Sequence, residues 1–272
     1  MLPIRWLTLS LRAPAAQLDR VSEFWALTTG TTPSDPARDP EPTCDPGFGQ
    51  VTLVPADGTP YLSIQGLEDG AELAKRIAER DGSCSLSLLL DPSGSLDDAR
   101  DEAVALGAGT GSAAQGAVYL RSPGGYAFSI EVADKRGGTV PPPYRLGTGG
   151  LSRADQICLD IPPTQFDAEC VFWQALTGWH LSSDPDSEFA SLTRPADIPI
   201  RILLQRRDYA KAGDAVTGHL DFSSDDRATL AREHLRARAS MVGEWPGWIS
   251  LRDPAGRIYC LTARDPRGGL HP

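Results

Sequence analysis

Residues 118–138 and 249–269 align without a gap, and eight of the twenty-one positions are identical. The matches are Leu120/Leu251, Arg121/Arg252, Pro123/Pro254, Gly125/Gly256, Asp134/Asp265, Arg136/Arg267, Gly137/Gly268 and Gly138/Gly269. Composition alone would give roughly one or two. A second stretch repeats in the same direction. Residues 8–30 and 156–178 share eight of twenty-three positions, among them Phe24-Trp25/Phe172-Trp173 and Thr29-Gly30/Thr177-Gly178. Pro55-Ala56-Asp57 recurs as Pro195-Ala196-Asp197, and Gln65 recurs as Gln205. A chain written twice in this order folds as two copies of one unit.

The unit can be read from its punctuation. Residues 248–251 and 258–261 are aliphatic, aromatic or β-branched around Asp253-Pro254-Ala255-Gly256, which predicts strand, tight turn, strand. Residues 118–130 repeat the pattern around Ser122-Pro123-Gly124-Gly125. Upstream, residues 6–12 read as a strand ended by Pro14. A helix follows with Leu18, Val21 and Trp25 on one face, closed by Gly30. A hairpin is expected over 51–65, a strand over 84–90, and a helix opened by a capping box at Ser95. In the second half, residues 156–161 read as a strand. A helix with Thr164 as N-cap then runs to Gly178. Each half is strand, helix and two or three strands, twice over, so the chain holds four βαβββ quarters. Two Pro- or polar-rich segments, 34–47 and 68–80, read as a loop and a connector. The expected organisation is a degenerate first domain (1–133), a Pro/Gly-rich linker (134–150) and a second domain (151–272), related by a pseudo-twofold axis.

Charge and cysteine usage narrow the function classes. A net charge of −10 opposes nucleic acid or an anionic membrane, which need clustered Lys and Arg. Five cysteines without CxxC spacing fit reduced thiols in a cytoplasmic protein better than a disulfide framework. The N-terminus lacks a continuous apolar run, and none approaches a membrane span.

Several phrases of the second half resemble a known superfamily. Phe172-Trp173 with Gly178-Trp179 is similar to the helix end of glyoxalase-like domains. Residues 201–205, Gly218-His219-Leu220-Asp221-Phe222, and Asp253-Pro254-Ala255-Gly256 with Tyr259-Cys260-Leu261 resemble three of their strands and a turn. In order, these motifs resemble the vicinal oxygen chelate superfamily, which includes glyoxalases, bleomycin-resistance proteins and extradiol dioxygenases. The resemblance implies an α+β fold of paired βαβββ modules, forming two cupped mixed sheets around a ligand or metal.

In that superfamily's metalloenzymes, His, Gln and Glu ligands come from the first and last strands of each module. Carrying those positions over gives Gln156, Leu203, His219 and Cys260 in the second half, and Thr8, Ser63, Ser85 and Ser129 in the first. Leu203 cannot coordinate, and the expected glutamates are absent. The first half therefore reads as metal-free. In the second, Gln156, His219 and Cys260 could hold a soft ion, but the expectation is no metal and no cofactor.

His219 and Asp221, at i and i+2, share one strand face. They are either a polar pair in the cup or a core pair satisfying each other. Cys260 is a nucleophile only beside a group that lowers its pKa, and otherwise an inert buried thiol. Trp25 and Trp173 read as core anchors, whereas Trp245 and Trp248 suit either stacking on a flat ligand or plain packing. His180, His234 and His271 read as solvated surface. The favoured reading is a binding protein for a small organic molecule, held in the second half's cup by His219, Asp221, Gln156, Gln205 and Cys260 with Trp245 and Trp248 at the rim. Antibiotic sequestration is one form of it. The alternatives are an atypical lyase, isomerase or dioxygenase-like enzyme, and a structural or regulatory module with filled cups. A small ligand is the expected partner of a monomer or homodimer.

Overall fold

The computed structural model describes residues 1–34, 49–67, 84–114, 116–133, 138–210 and 213–268. Most of the expected loop at 34–47 and all of the expected connector at 68–80 lie outside them, as do Cys44 and His271.

The first half contains β1 (Ile4–Pro14), α1 (Leu18–Thr29), β2 (Thr31–Pro33), β3 (Gln50–Pro55), β4 (Leu62–Leu67), β5 (Cys84–Leu90), α2 (Leu96–Ala105), β6 (Gly109–Ala114), β7 (Ala117–Arg121) and β8 (Ala127–Val132). A short β9 (Tyr144–Arg145) precedes β10 (Leu151–Ile161). Then come α3 (Phe166–Thr177), β11 (His180–Ser183), β12 (Phe189–Thr193), β13 (Arg201–Arg206), β14 (Thr217–Ser224), α4 (Arg227–Arg236), β15 (Ser240–Glu244), β16 (Trp248–Arg252) and β17 (Ile258–Thr262).

One sheet runs β2-β3-β4-β1-β5-β8-β7-β6 and the other β11-β12-β13-β10-β14-β17-β16-β15, with β9 pairing β10 off the path. The two orders are the same order shifted by nine strands. Both sheets are mixed: β5 with β8 and β14 with β17 are parallel, and the hairpins are antiparallel. The register repeats as well. Ser87 faces Ser129 in the first sheet, and Asp221 faces Cys260 in the second. This is an α+β fold of duplicated βαβββ modules.

The helices form where capping chemistry allows. Gly30 (φ 66°) and Gly178 (φ 70°) close α1 and α3 in the left-handed region that glycine adopts without steric cost. The Ser95 hydroxyl accepts from the Asp98 amide at 3.2 Å and opens α2. The expected cap at Thr164 does not form. Thr164 lies inside a 3₁₀ turn, Pro163–Gln165, and α3 starts after Gln165 without a side-chain cap. Among the described residues, no helix is long and apolar enough to cross a membrane.

Contacts gather into two compact units, and each draws on both halves of the sequence. The first is Met1–Leu9, Ser85–Val140 and Ile157–Gly218. The second is Ser10–Cys84, Pro141–Gln156 and His219–Pro272. Each is built around the tryptophan of one repeated helix.

In the first unit Trp173 is fully buried and meets Phe128 and Phe172 edge-on. Its indole N–H donates to Glu169 Oε2 at 2.7 Å, while Glu169 Oε1 accepts from the Gly124 amide at 2.6 Å. Burial pushes the Glu169 carboxyl above its ordinary pKa, although these two bonds and one with Ser122 oppose the shift.

In the second unit Trp25 is fully buried, stacks on Phe222 at 6.1 Å and meets Tyr259 edge-on. Its N–H donates to Asp253 Oδ2 at 3.0 Å, and Asp253 Oδ1 accepts from the Ala255 amide at 2.9 Å. The same two donors are thus served in each unit, by a carboxylate from the helix in one and from the turn in the other. Arg257, fully buried, pairs with Asp253 at 2.5 Å. The corresponding residue of the first unit is Tyr126, so Glu169 lacks that counter-charge.

His234 corrects the surface assignment. It is 1 % exposed, with Phe24, Phe222 and Tyr259 rings around it and its Nδ1 2.9 Å from the Tyr259 hydroxyl. Its neighbours Arg232, Glu233 and Arg236 make the segment look solvated, but the helical period turns His234 inward with Leu230 and Ala231. His180 is exposed, as expected.

Candidate functional site

The second sheet places β10, β14, β17 and β16 side by side. Gln156, His219, Asp221, Cys260 and Ser250 come from these strands and lie within the second compact unit. Strand alternation puts His219 and Asp221 on one face, and the register sets Cys260 beside Asp221 and Ser250 beside Cys260. All five are 6 % exposed or less.

Their polar atoms are mostly bonded to one another. Gln156 Nε2 donates to Asp221 Oδ2 at 2.7 Å. The Ser250 hydroxyl and the Cys260 thiol lie 3.2 Å apart. His219 Nε2 is 3.3 Å from Asp221 Oδ1, close enough for an ion pair when the imidazole is protonated. That approach lacks hydrogen-bond geometry, and Asp221 Oδ1 is buried with no hydrogen-bond partner among the described residues. A buried acceptor left in this condition costs about 1–3 kcal/mol. Of the two alternatives open in the sequence, mutual satisfaction describes Gln156 and Oδ2 of Asp221, and Oδ1 is left over.

The donor atoms of His219, Asp221 and Cys260 all lie within 4.8 Å of one another. Three ligands on one tetrahedral ion stand about 3.3–3.8 Å apart, so small side-chain rotations would converge them. Imidazole, carboxylate and thiol suit a soft divalent ion, and the spare Asp221 oxygen adds a free donor. Among the described residues, the first half has no such set. At the corresponding positions Ser129 lies 2.8 Å from Ser87 and 3.0 Å from Glu131, so its hydroxyl is already engaged.

The remaining candidates divide. Gln205, in the first compact unit, accepts from the Cys158 thiol at 3.5 Å and donates to Glu188 at 3.3 Å. Trp248 precedes Ser250 by two and therefore shares its strand face. Trp245 and Trp248 stack on each other, with ring centres 5.6 Å apart at 17°, and Trp245 is exposed. The four described cysteines are buried and unbridged. Sequence reasoning missed the Ser250 partner of Cys260 and the carboxylates beneath Trp25 and Trp173. Their signals were present: Ser250 faces Cys260 across the predicted hairpin, and Glu169 sits one helical turn before Trp173.

The duplicated βαβββ sheets and this strand-borne polar cluster define the class: a tandem protein of the vicinal oxygen chelate fold. Residues 156–262 match the glyoxalase-like domain family. A comparison with curated proteins finds no matching sequence. Among solved structures, the chain is similar to the 2,3-dioxygenase LapB from Pseudomonas sp. KL28, at 14 % identity and a TM-score of 0.59, covering 100 % of this chain and 95 % of that one. It is similar to a variant of 4-hydroxymandelate synthase from Streptomyces coelicolor at 17 % identity, a TM-score of 0.55 and the same coverage. It also resembles BphC, a halotolerant catechol dioxygenase, at 12 % identity and a TM-score of 0.53, covering 95 % of this chain and 86 % of that one.

Proposed function

We propose that the second half binds a small organic molecule at the His219–Asp221–Gln156–Cys260 cluster, through a ligand N–H or O–H donated to Asp221. One observation carries this reading: Asp221 Oδ1 is a buried carboxylate oxygen without a hydrogen-bond partner among the described residues. A ligand donor would convert that cost into a charge-assisted hydrogen bond, worth about 1.5–3 kcal/mol. Binding of this kind requires no metal and no reaction, and sequestration is one use for it. Two of the similar structures are dioxygenases by name, one of them a catechol dioxygenase, which makes catechol, with its two adjacent O–H donors, the first probe.

The test is titration of catechol and a panel of small phenols and amines, followed by tryptophan fluorescence and thermal midpoint. Asp221→Asn, which exchanges an acceptor oxygen for a donor, should weaken any binder by roughly ten- to a hundredfold, and His219→Ala should weaken it as well. Binding that is unchanged in both variants places the ligand elsewhere. If no compound binds and Asp221→Asn only changes stability, the cluster is structural.

The 4.8 Å grouping of donor atoms favours a second reading, in which His219, Asp221 and Cys260 hold a soft divalent ion. Such an ion would act as a Lewis acid toward a ligand oxygen. Cys260 would have to lose the proton that it shares with Ser250, so affinity would rise with pH.

A further inference from the structure

One edge strand occurs in both copies, and the second copy gives it a different surface. β6 and β15 end their sheets, each with a strand neighbour on one side only among the described residues. In the register that aligns residues 118–138 with 249–269, Gly109-Thr110-Gly111-Ser112-Ala113-Ala114 corresponds to Ser240-Met241-Val242-Gly243-Glu244-Trp245. The first copy's edge reads as glycine and other small residues. The second carries Met241, Val242 and Trp245, exposed by 48 %, 40 % and 42 %. An open strand edge with exposed apolar side chains is a template for another strand. Its protections are thin. β15 has no lysine and no proline, and its one irregularity, between Met241 and Gly243, has a counterpart in β6.

The residue that leads into the strand differs as well. In the same register Gly107 corresponds to Arg238, and their φ angles are 104° and 80°. Each closes its helix in the same way: the Gly107 amide donates to the Val104 carbonyl at 2.9 Å, and the Arg238 amide to the Leu235 carbonyl at 3.1 Å. Glycine holds this left-handed conformation without steric cost, and arginine does not. Arg238 is the only non-glycine residue with positive φ among the described residues. Its side chain is exposed and makes no ion pair among them, so no contact described within the chain offsets the strain.

Glu244, at the far end of β15, is likewise exposed and without an ion pair among the described residues. A twofold antiparallel pairing of two β15 strands sets the Arg238 end of each against the Glu244 end of the other, with Met241 and Val242 between. The surface is therefore complementary to itself in charge and in apolar character.

We propose that β15 is a self-association surface, on which a second copy of this chain pairs its own β15 antiparallel, through the apolar centre and two Arg238–Glu244 contacts between copies. One strand edge is a small interface, so the dimer is concentration-dependent. The test is sedimentation equilibrium of the full chain over a concentration series reaching about 100 μM. Wild-type protein should show a monomer–dimer equilibrium. Val242→Lys and Glu244→Arg should each weaken it by roughly tenfold or more. Adding Arg238→Glu to Glu244→Arg should bring back most of the lost affinity. Arg238→Gly should raise the thermal midpoint of the dilute monomer while weakening the dimer by roughly threefold or more, a combination that a merely structural arginine would not give. A monomer at every concentration, a dimer as tight in Val242→Lys or Arg238→Gly as in the wild type, or no recovery in the double variant would each overturn the proposal.

Discussion

Acidification should destabilise this protein through one residue, His234. Burial in its aromatic box holds the imidazole neutral and pushes its pKa down to about 3. In the unfolded chain the same group titrates near 6.5. Between these values the unfolded state binds a proton that the folded state refuses, so stability falls as pH drops through 6.5 and goes on falling toward 3. At pH 7.5 the difference is negligible. At pH 5.0 it amounts to about 2 kcal/mol, which is roughly 4–8 °C in thermal midpoint for a chain of this size. His234→Asn keeps a group able to meet the Tyr259 hydroxyl and removes the titration. The assay is the midpoint of both proteins at pH 7.5 and 5.0. Carboxylates elsewhere contribute equally to both, so the comparison isolates the histidine. The wild type should lose about 4–8 °C more than the variant on going to pH 5.0. Equal losses would show that the imidazole is charged, or solvated, in the folded protein.

Two further outcomes follow from the buried charges and donors. Asp253→Ala should cost about 3–5 kcal/mol in urea unfolding, because it removes the counter-charge of the buried Arg257 guanidinium and the acceptor of the Trp25 N–H; a cost under 1 kcal/mol would mean that water reaches Arg257. Adding Zn²⁺ in hundredfold excess over its dissociation constant would raise stability by roughly 3 kcal/mol if the second functional reading holds. The metal-free reading expects no shift in thermal midpoint, and a saturable shift lost in His219→Ala would decide for the metal.

The repeated turns and helix ends made most of the fold legible. Gly30, Gly178, Asp253-Pro254 and Ser122-Pro123 punctuate the chain locally, so α3, β16 and β17 emerge near their observed bounds, whereas β10 begins five residues before the expected strand at 156–161. What stayed hidden depends on distance or on weak local chemistry. β6 carries Gly109 and Gly111 at a sheet edge, and β9 is two residues long, so neither shows a pattern of strand formers. His234 was hidden by charged neighbours that share its helix but face elsewhere. In the candidate site, the shared face of His219 and Asp221 could be read from their spacing. That Gln156 bonds one Asp221 oxygen and the other is left without a hydrogen bond among the described residues is a matter of ångströms that no spacing encodes. The Gln205 partners are equally non-local, since Cys158 and Glu188 come from two other stretches of the chain.

The carboxylates beneath Trp25 and Trp173 bear on how far the two copies depend on each other. Counted by sequence repeat, the first copy has Val21 and Ser122 at these positions and the second has Glu169 and Asp253, so both acids stand in the second copy. Each nonetheless serves a different unit: Glu169 accepts from the Trp173 N–H and the Gly124 amide, and Asp253 from the Trp25 N–H and the Ala255 amide. Trp25 and the Gly124 amide belong to the first copy, and their acceptors come from the second. Losing either acid would leave an indole N–H and a turn amide without an acceptor, at about 1–3 kcal/mol each. The first copy cannot satisfy these buried donors by itself.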